Sequence, residues 1–110
     1  MGSLIYGPTG TRVEIDDRVL AHLKVVILTK LRRGEGFAFS WDKGTERGSG
    51  RDTMWLNPSI GLEFQFVGNR PASLNKVWLD ELMASANSSG GLHVLPEHDR
   101  SKDNEVPTIY

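Results

Sequence analysis

The chain is 110 residues long, with 13 Lys and Arg against 14 Asp and Glu, 12 Gly, no Cys and 38% hydrophobic residues. A chain of this size removes about 65% of its unfolded surface from water, enough for one core without a metal or disulfide staple. The lack of Cys excludes a disulfide framework or thiolate zinc site and fits a reducing compartment, and a net charge of -1 excludes a global field aimed at nucleic acid or membrane.

The run Met1 to Gly7 has no basic residue ahead of its apolar stretch, and Gly7-Pro8 interrupts it far short of a signal-peptide core. No apolar run approaches the ~20 residues that span a bilayer, so no membrane contact is expected and the expected location is the cytoplasm. Ser3 to Tyr6 and Arg12 to Ile15 read as a hairpin about Gly7-Pro8-Thr9-Gly10, with Val13 and Ile15 alternating against Arg12 and Glu14. Asp16-Asp17 can cap a helix running to about Arg33, in which Val19, Leu20, Leu23, Val26, Ile27 and Leu31 recur at spacings of three and four. Lys30, Arg32 and Arg33 in the last turn suit the negative end of the helix dipole, and Gly34 supplies the stop.

From Gly36 the period becomes two: Phe37, Phe39 and Trp41 alternate with Ala38, Ser40 and Asp42. Beyond a Gly-rich polar loop from Lys43 to Gly50, Thr53 to Asn57 and Gly61 to Val67 predict two more strands, and three sequential strands suggest a meander. Ser73 can cap a second helix with Leu74, Val77, Trp78, Leu82 and Ala86 on one face; Gly90-Gly91 ends it and Leu92 to Leu95 forms a last strand. The fold class is thus α+β, one domain over 1–95 in the order ββαβββαβ, with a mainly antiparallel sheet and two helices on one face. Residues 96–110 hold two basic and four acidic side chains with few apolar ones, and predict a mobile acidic tail.

The sheet face away from the helices is the first candidate binding surface. Its members are out of phase with the core, among them Ser40, Asp42, Thr53, Trp55, Gln65 and His93, and Trp55, Gln65 and His93 are the candidate partner contacts. Trp55 is out of phase with Met54 and Leu56, so a regular strand turns it outward whereas a bulge turns it in. The second candidate is electrostatic. Lys24 to Arg51 carries an excess of four positive charges, and Lys30, Arg32, Arg33, Lys43, Arg47 and Arg51 could contact phosphates with Trp41 or Trp55 stacking on a base.

Catalytic chemistry has little material. There is no Cys and no Gly-x-Ser-x-Gly elbow, and His22, His93 and His98 fall on a helix, a strand and the tail, with His22 expected at the surface or boundary. Asp16-Asp17 and Asp80-Glu81 read as a cap and a solvated helix face, so no metal or cofactor is expected. Gly34-Glu35-Gly36 precedes a strand where a dinucleotide loop must precede a helix.

The runs Met1 to Gly7, Ile15-Asp16-Asp17-Arg18, Leu20-Ala21-His22-Leu23 and Lys30-Leu31-Arg32-Arg33-Gly34-Glu35 ahead of Phe39-Ser40-Trp41 resemble a family of small actinobacterial proteins. The similarity continues through Gly50-Arg51, Trp55 to Ile60 and Ser85 to Ser88, up to about Leu95. Proteins of that family often carry the label ATP-dependent DNA ligase. Such a ligase takes AMP on the lysine of a Lys-x-Asp-Gly motif, which this sequence lacks; Asp42-Lys43-Gly44 has the wrong order, so the resemblance carries over no catalytic residue. It implies at most an accessory to DNA joining or repair. The expected function is a non-catalytic binding module that engages a protein partner or itself through the sheet face or edge. Nucleic-acid contact through the basic segment is the alternative.

Overall fold

The computed structural model describes residues 1–42 and 50–97, and the backbone of 105–107. β1 (Gly2–Tyr6) and β2 (Thr11–Ile15) form the expected hairpin, with Leu4 opposite Val13. α1 (Asp17–Arg32) follows, its first turn capped by Asp16, whose carboxylate accepts the Arg18 N–H at 3.1 Å. β3 (Phe37–Asp42) and β4 (Arg51–Leu56) pair antiparallel, with Phe39 opposite Met54.

The next strand corrects the expected meander. β5 (Leu62–Gln65) pairs antiparallel with β1, not with β4, placing Phe64 opposite Leu4. With β7 (Leu92–His93), these strands form two three-stranded sheets, β2-β1-β5 and β4-β3-β7, within one α+β domain. β7 is shorter than expected and joins β3 in parallel. α2 (Lys76–Ala86) starts later than Ser73 because Asn75 is its cap, its side chain accepting the Trp78 N–H at 3.2 Å. Ser73–Asn75 is instead a short strand, β6, and β8 (Glu105–Pro107), inside the segment expected to be mobile, pairs antiparallel with it.

α1 packs on β1 and α2 on β3 and β7, with the two helices against each other. The core forms where these layers meet: Leu4, Val13 and Ile15 from one sheet, Phe37, Phe39, Leu56 and Leu92 from the other, and Leu20, Leu23, Ile27, Trp78 and Leu82 from the helices. The Tyr6 hydroxyl accepts the Asn57 N–H at 2.9 Å and so fastens the first sheet to the end of β4. Among the described residues no helix is long and apolar enough to cross a membrane.

His22 is not at the surface. It is fully buried, its ring 4.4 Å from that of Trp78. Nε2 accepts the Asn75 backbone N–H at 2.8 Å, so the proton sits on Nδ1, 2.8 Å from the Arg18 carbonyl oxygen to which it donates. The ring is neutral and both nitrogens are engaged. One residue along the contact, Asn75 Nδ2 donates to Glu97 at 2.9 Å, and Glu97 also receives two hydrogen bonds from Arg18, each 2.8 Å. Glu97 lies beyond the expected domain end at Leu95, yet it clamps α1 to the start of α2. Glu97→Ala is expected to lower stability by about 1–2 kcal/mol. Chemical denaturation tests this, and an unchanged midpoint would show the clamp to be idle.

Candidate partner-binding surface

Strand register places the side chains of the second sheet's outer face. Ala38, Ser40 and Asp42 of β3 turn from the core, and on β4 they stand opposite Trp55, Thr53 and Arg51. β7 adds His93 beside Ser40. Trp55 is 59% exposed: β4 keeps its alternation, and no bulge turns the ring inward. The indole rests over Gly36, where an added Cβ would come within 2.8 Å of Cζ2, so the missing side chain is what lets the ring lie against the backbone. The Ser40 and Thr53 hydroxyls share a hydrogen bond of 2.7 Å. A cavity of about 240 Å³ opens alongside, lined by Ser40, Trp41, Asp42, Arg51, His93 and Val94.

β4 is also an edge. Among the described residues it is paired on one side only, with β3. Unpaired backbone donors and acceptors along such a strand are a template for another strand; Pro and Lys are absent from Arg51–Leu56, whose charged residues are Arg51 and Asp52 at its start.

Residues 1–97 match the family model described as a domain of unknown function, DUF7882. The chain belongs to the DUF7882 family. No curated protein and no solved structure matches it. The match ends at Glu97, the residue that clamps α1 to α2 in this DUF7882 domain.

The fold divides the residues singled out in the sequence. Trp55 and His93 share the outer face of the second sheet, whereas Gln65 is on β5 of the first. There Gln65 donates to Glu63 at 2.7 Å and accepts from Arg12 at 3.3 Å, while Ser3 donates to Glu14 at 3.1 Å, giving that face a polar lattice of its own. The basic residues divide as well. Lys30 is not a surface cation: it is 7% exposed, its ammonium donates to Asn87 at 2.7 Å and pairs with Glu35 at 2.9 Å, and it lies 5.9 Å from the Phe37 ring centre. That contact ties the end of α1 to the end of α2, and the hydrogen bond from Lys30 holds the Glu35 carboxyl below its ordinary range. Arg32 and Arg33 are exposed at the end of α1, Arg51 alone of the described group shares the Trp55 face, and Lys43 and Arg47 lie outside the described residues.

Among the described residues no three His, Asp or Glu side chains gather closely enough to hold a metal ion. One group of side chains escaped the sequence reading. Phe66, expected inside β5, follows the strand's end at Gln65, is 37% exposed and lies 5.6 Å from the Lys24 ammonium, with Arg70 near by. The run Gly68-Asn69-Arg70-Pro71, whose Gly and Pro interrupt a strand, was the available signal.

Proposed function

We propose that the chain is a non-catalytic, cytoplasmic interaction module that pairs with another protein strand along the open edge of β4, with Trp55 as its anchor. The observation that carries this reading is Trp55: a large aromatic, 59% exposed, held over Gly36 on a strand that among the described residues is paired on one side only. Edge addition draws affinity from main-chain hydrogen bonds and specificity from alternate side chains.

The strand that β4 fits is β4 of a second copy. Antiparallel pairing about a two-fold axis at Thr53 sets each Arg51 opposite the other copy's Trp55 on the exposed face. An exposed Arg–Trp contact contributes about 0.5–1 kcal/mol, and the symmetry makes two. Sedimentation velocity is expected to show a reversible dimer that strengthens with concentration, and Trp55→Ala or Arg51→Glu should weaken it by about tenfold or more with an unchanged circular dichroism spectrum. A monomer at every concentration up to about 1 mM, where an association worth only about 4 kcal/mol is half complete, would overturn the reading.

A second reading rests on Arg51 and Trp55 sharing one face, since a guanidinium beside an exposed indole also suits an unpaired base and its phosphate. It predicts oligonucleotide binding that weakens steeply with salt and is reduced by Arg51→Ala; no retention at low salt would exclude it. The ligase label borne by similar proteins finds no Lys-x-Asp-Gly motif here to act through.

A further inference from the structure

A second recess lies between the first half of α1 and the connection from β5 to β6. It measures about 370 Å³, within the range that takes a small organic ligand. Two neighbouring residues of α1 shape it by fastening the connection at both ends. The Asp17 carboxylate accepts the Val67 N–H at 3.1 Å and the Gly68 N–H at 2.9 Å. The Arg18 guanidinium donates to the Ser73 carbonyl at 3.0 Å while its remaining nitrogens hold Glu97. Between these ties residues 69–72 line one side of the recess, and the small side chain of Ala21 lines the other.

The lining combines an apolar floor with positive charge. Phe66, Ala21, Pro71 and Ala72 supply the apolar surface, and Lys24 and Arg70 supply cations. Lys24 stands 5.6 Å from the Phe66 ring centre, and among the described residues neither cation is in a salt bridge. Arg18 is paired with Glu97, and two backbone N–H groups, chiefly that of Gly68, hold the Asp17 carboxyl below its ordinary range; set against Lys24 and Arg70, the one negative charge of Asp17 leaves a positive excess. The uncompensated charge is therefore positive and adjoins a ring.

We propose that this recess binds a small organic anion with a flat apolar body, its ring system against Phe66 and Ala21 and its anionic group between Lys24 and Arg70. Cations beside a partly dry wall favour an anion more than they would in open water, and the aromatic floor selects a planar partner. This site is separate from the β4 edge, and its test does not depend on that reading.

The probe pair is 8-anilinonaphthalene-1-sulfonate and N-phenyl-1-naphthylamine, the same ring system with and without the anionic group. Titration of the full chain by fluorescence, with amide shifts followed by NMR, is expected to show one saturable site for the sulfonate, centred on the amides of Ala21, Gly68 and Asn69. The neutral probe should bind about tenfold more weakly. Lys24→Gln combined with Arg70→Gln should remove that preference, Ala21→Phe should fill the recess and abolish binding of both probes, and Trp55→Ala should bind as the parent does. Equal affinity for the two probes, an unchanged preference in the double variant, or amide shifts confined to β4 would each overturn the proposal. The double variant leaves the buried core untouched, so the proposal stays testable should Ala21→Phe fail to fold.

Discussion

Replacing His22 by Ala is expected to lower the unfolding free energy by about 3–5 kcal/mol. Two losses add. The buried ring leaves a cavity against Trp78, and the Asn75 N–H, which donates to Nε2 at 2.8 Å, is left without an acceptor in the core. His22→Phe refills the volume and isolates the second loss, for which about 1–3 kcal/mol is expected.

The carboxyls of Asp17 and Glu35 make stability depend on pH. Both are lowered from ordinary values of 3.8 and 4.5, so their contribution is present above those values and is lost as the pH falls below them. Urea denaturation at several pH values measures the loss, and a stability that stays level as the pH falls through that range would contradict the two contacts.

Gly91→Ala is the second large effect, at about 2–4 kcal/mol. Gly91 has φ of +82°, and a Cβ there would lie 2.6 Å from the Ala38 carbonyl oxygen and 2.8 Å from its Cβ. Conformation and collision both oppose the methyl group. This close approach also sets the parallel pairing of Leu92 with Phe39 and of His93 with Ser40, so the substitution should displace His93 from the outer face as well. Gly34 provides the comparison: its φ is +75° but nothing stands within 4 Å, and Gly34→Ala is expected to lose only about 1 kcal/mol. Equal losses at the two sites, read from denaturation midpoints, would show that the contact with Ala38 carries no weight.

Local patterns made much of this fold legible. The spacings of three and four in α1, the Asp16 cap, the hairpin about Gly7 and the alternation that turns Trp55 outward all depend on residues close in sequence. What escaped depends on distant partners. β5 reads equally well beside β4 or β1, and the choice falls to Phe64 meeting Leu4 across a long separation. Ser73–Asn75 is too short to show a strand period, and its last residue serves at once as helix cap and as donor to His22. His22 and Lys30 look like surface residues by type; they are buried because Asn75 and Asn87, more than 50 positions away, receive them. The candidate surface was half legible for the same reason. Trp55 and His93 follow from alternation within their strands, whereas the separation of Gln65 from them follows from the split into two sheets.

The chain's freedom from cysteine permits a direct test of the β4 edge as its interaction surface. Thr53→Cys places one thiol at the proposed two-fold axis, where the directly opposed Cβ atoms of paired strands lie about 4.5–5.5 Å apart, close enough to be drawn into a disulfide. Thr9→Cys, in the turn between β1 and β2, is the exposed control. Under mild oxidation Thr53→Cys is expected to dimerise covalently and rapidly, an effect lost when Trp55→Ala is added, with Thr9→Cys remaining largely monomeric. Equal, slow crosslinking of the two single variants would contradict pairing along β4.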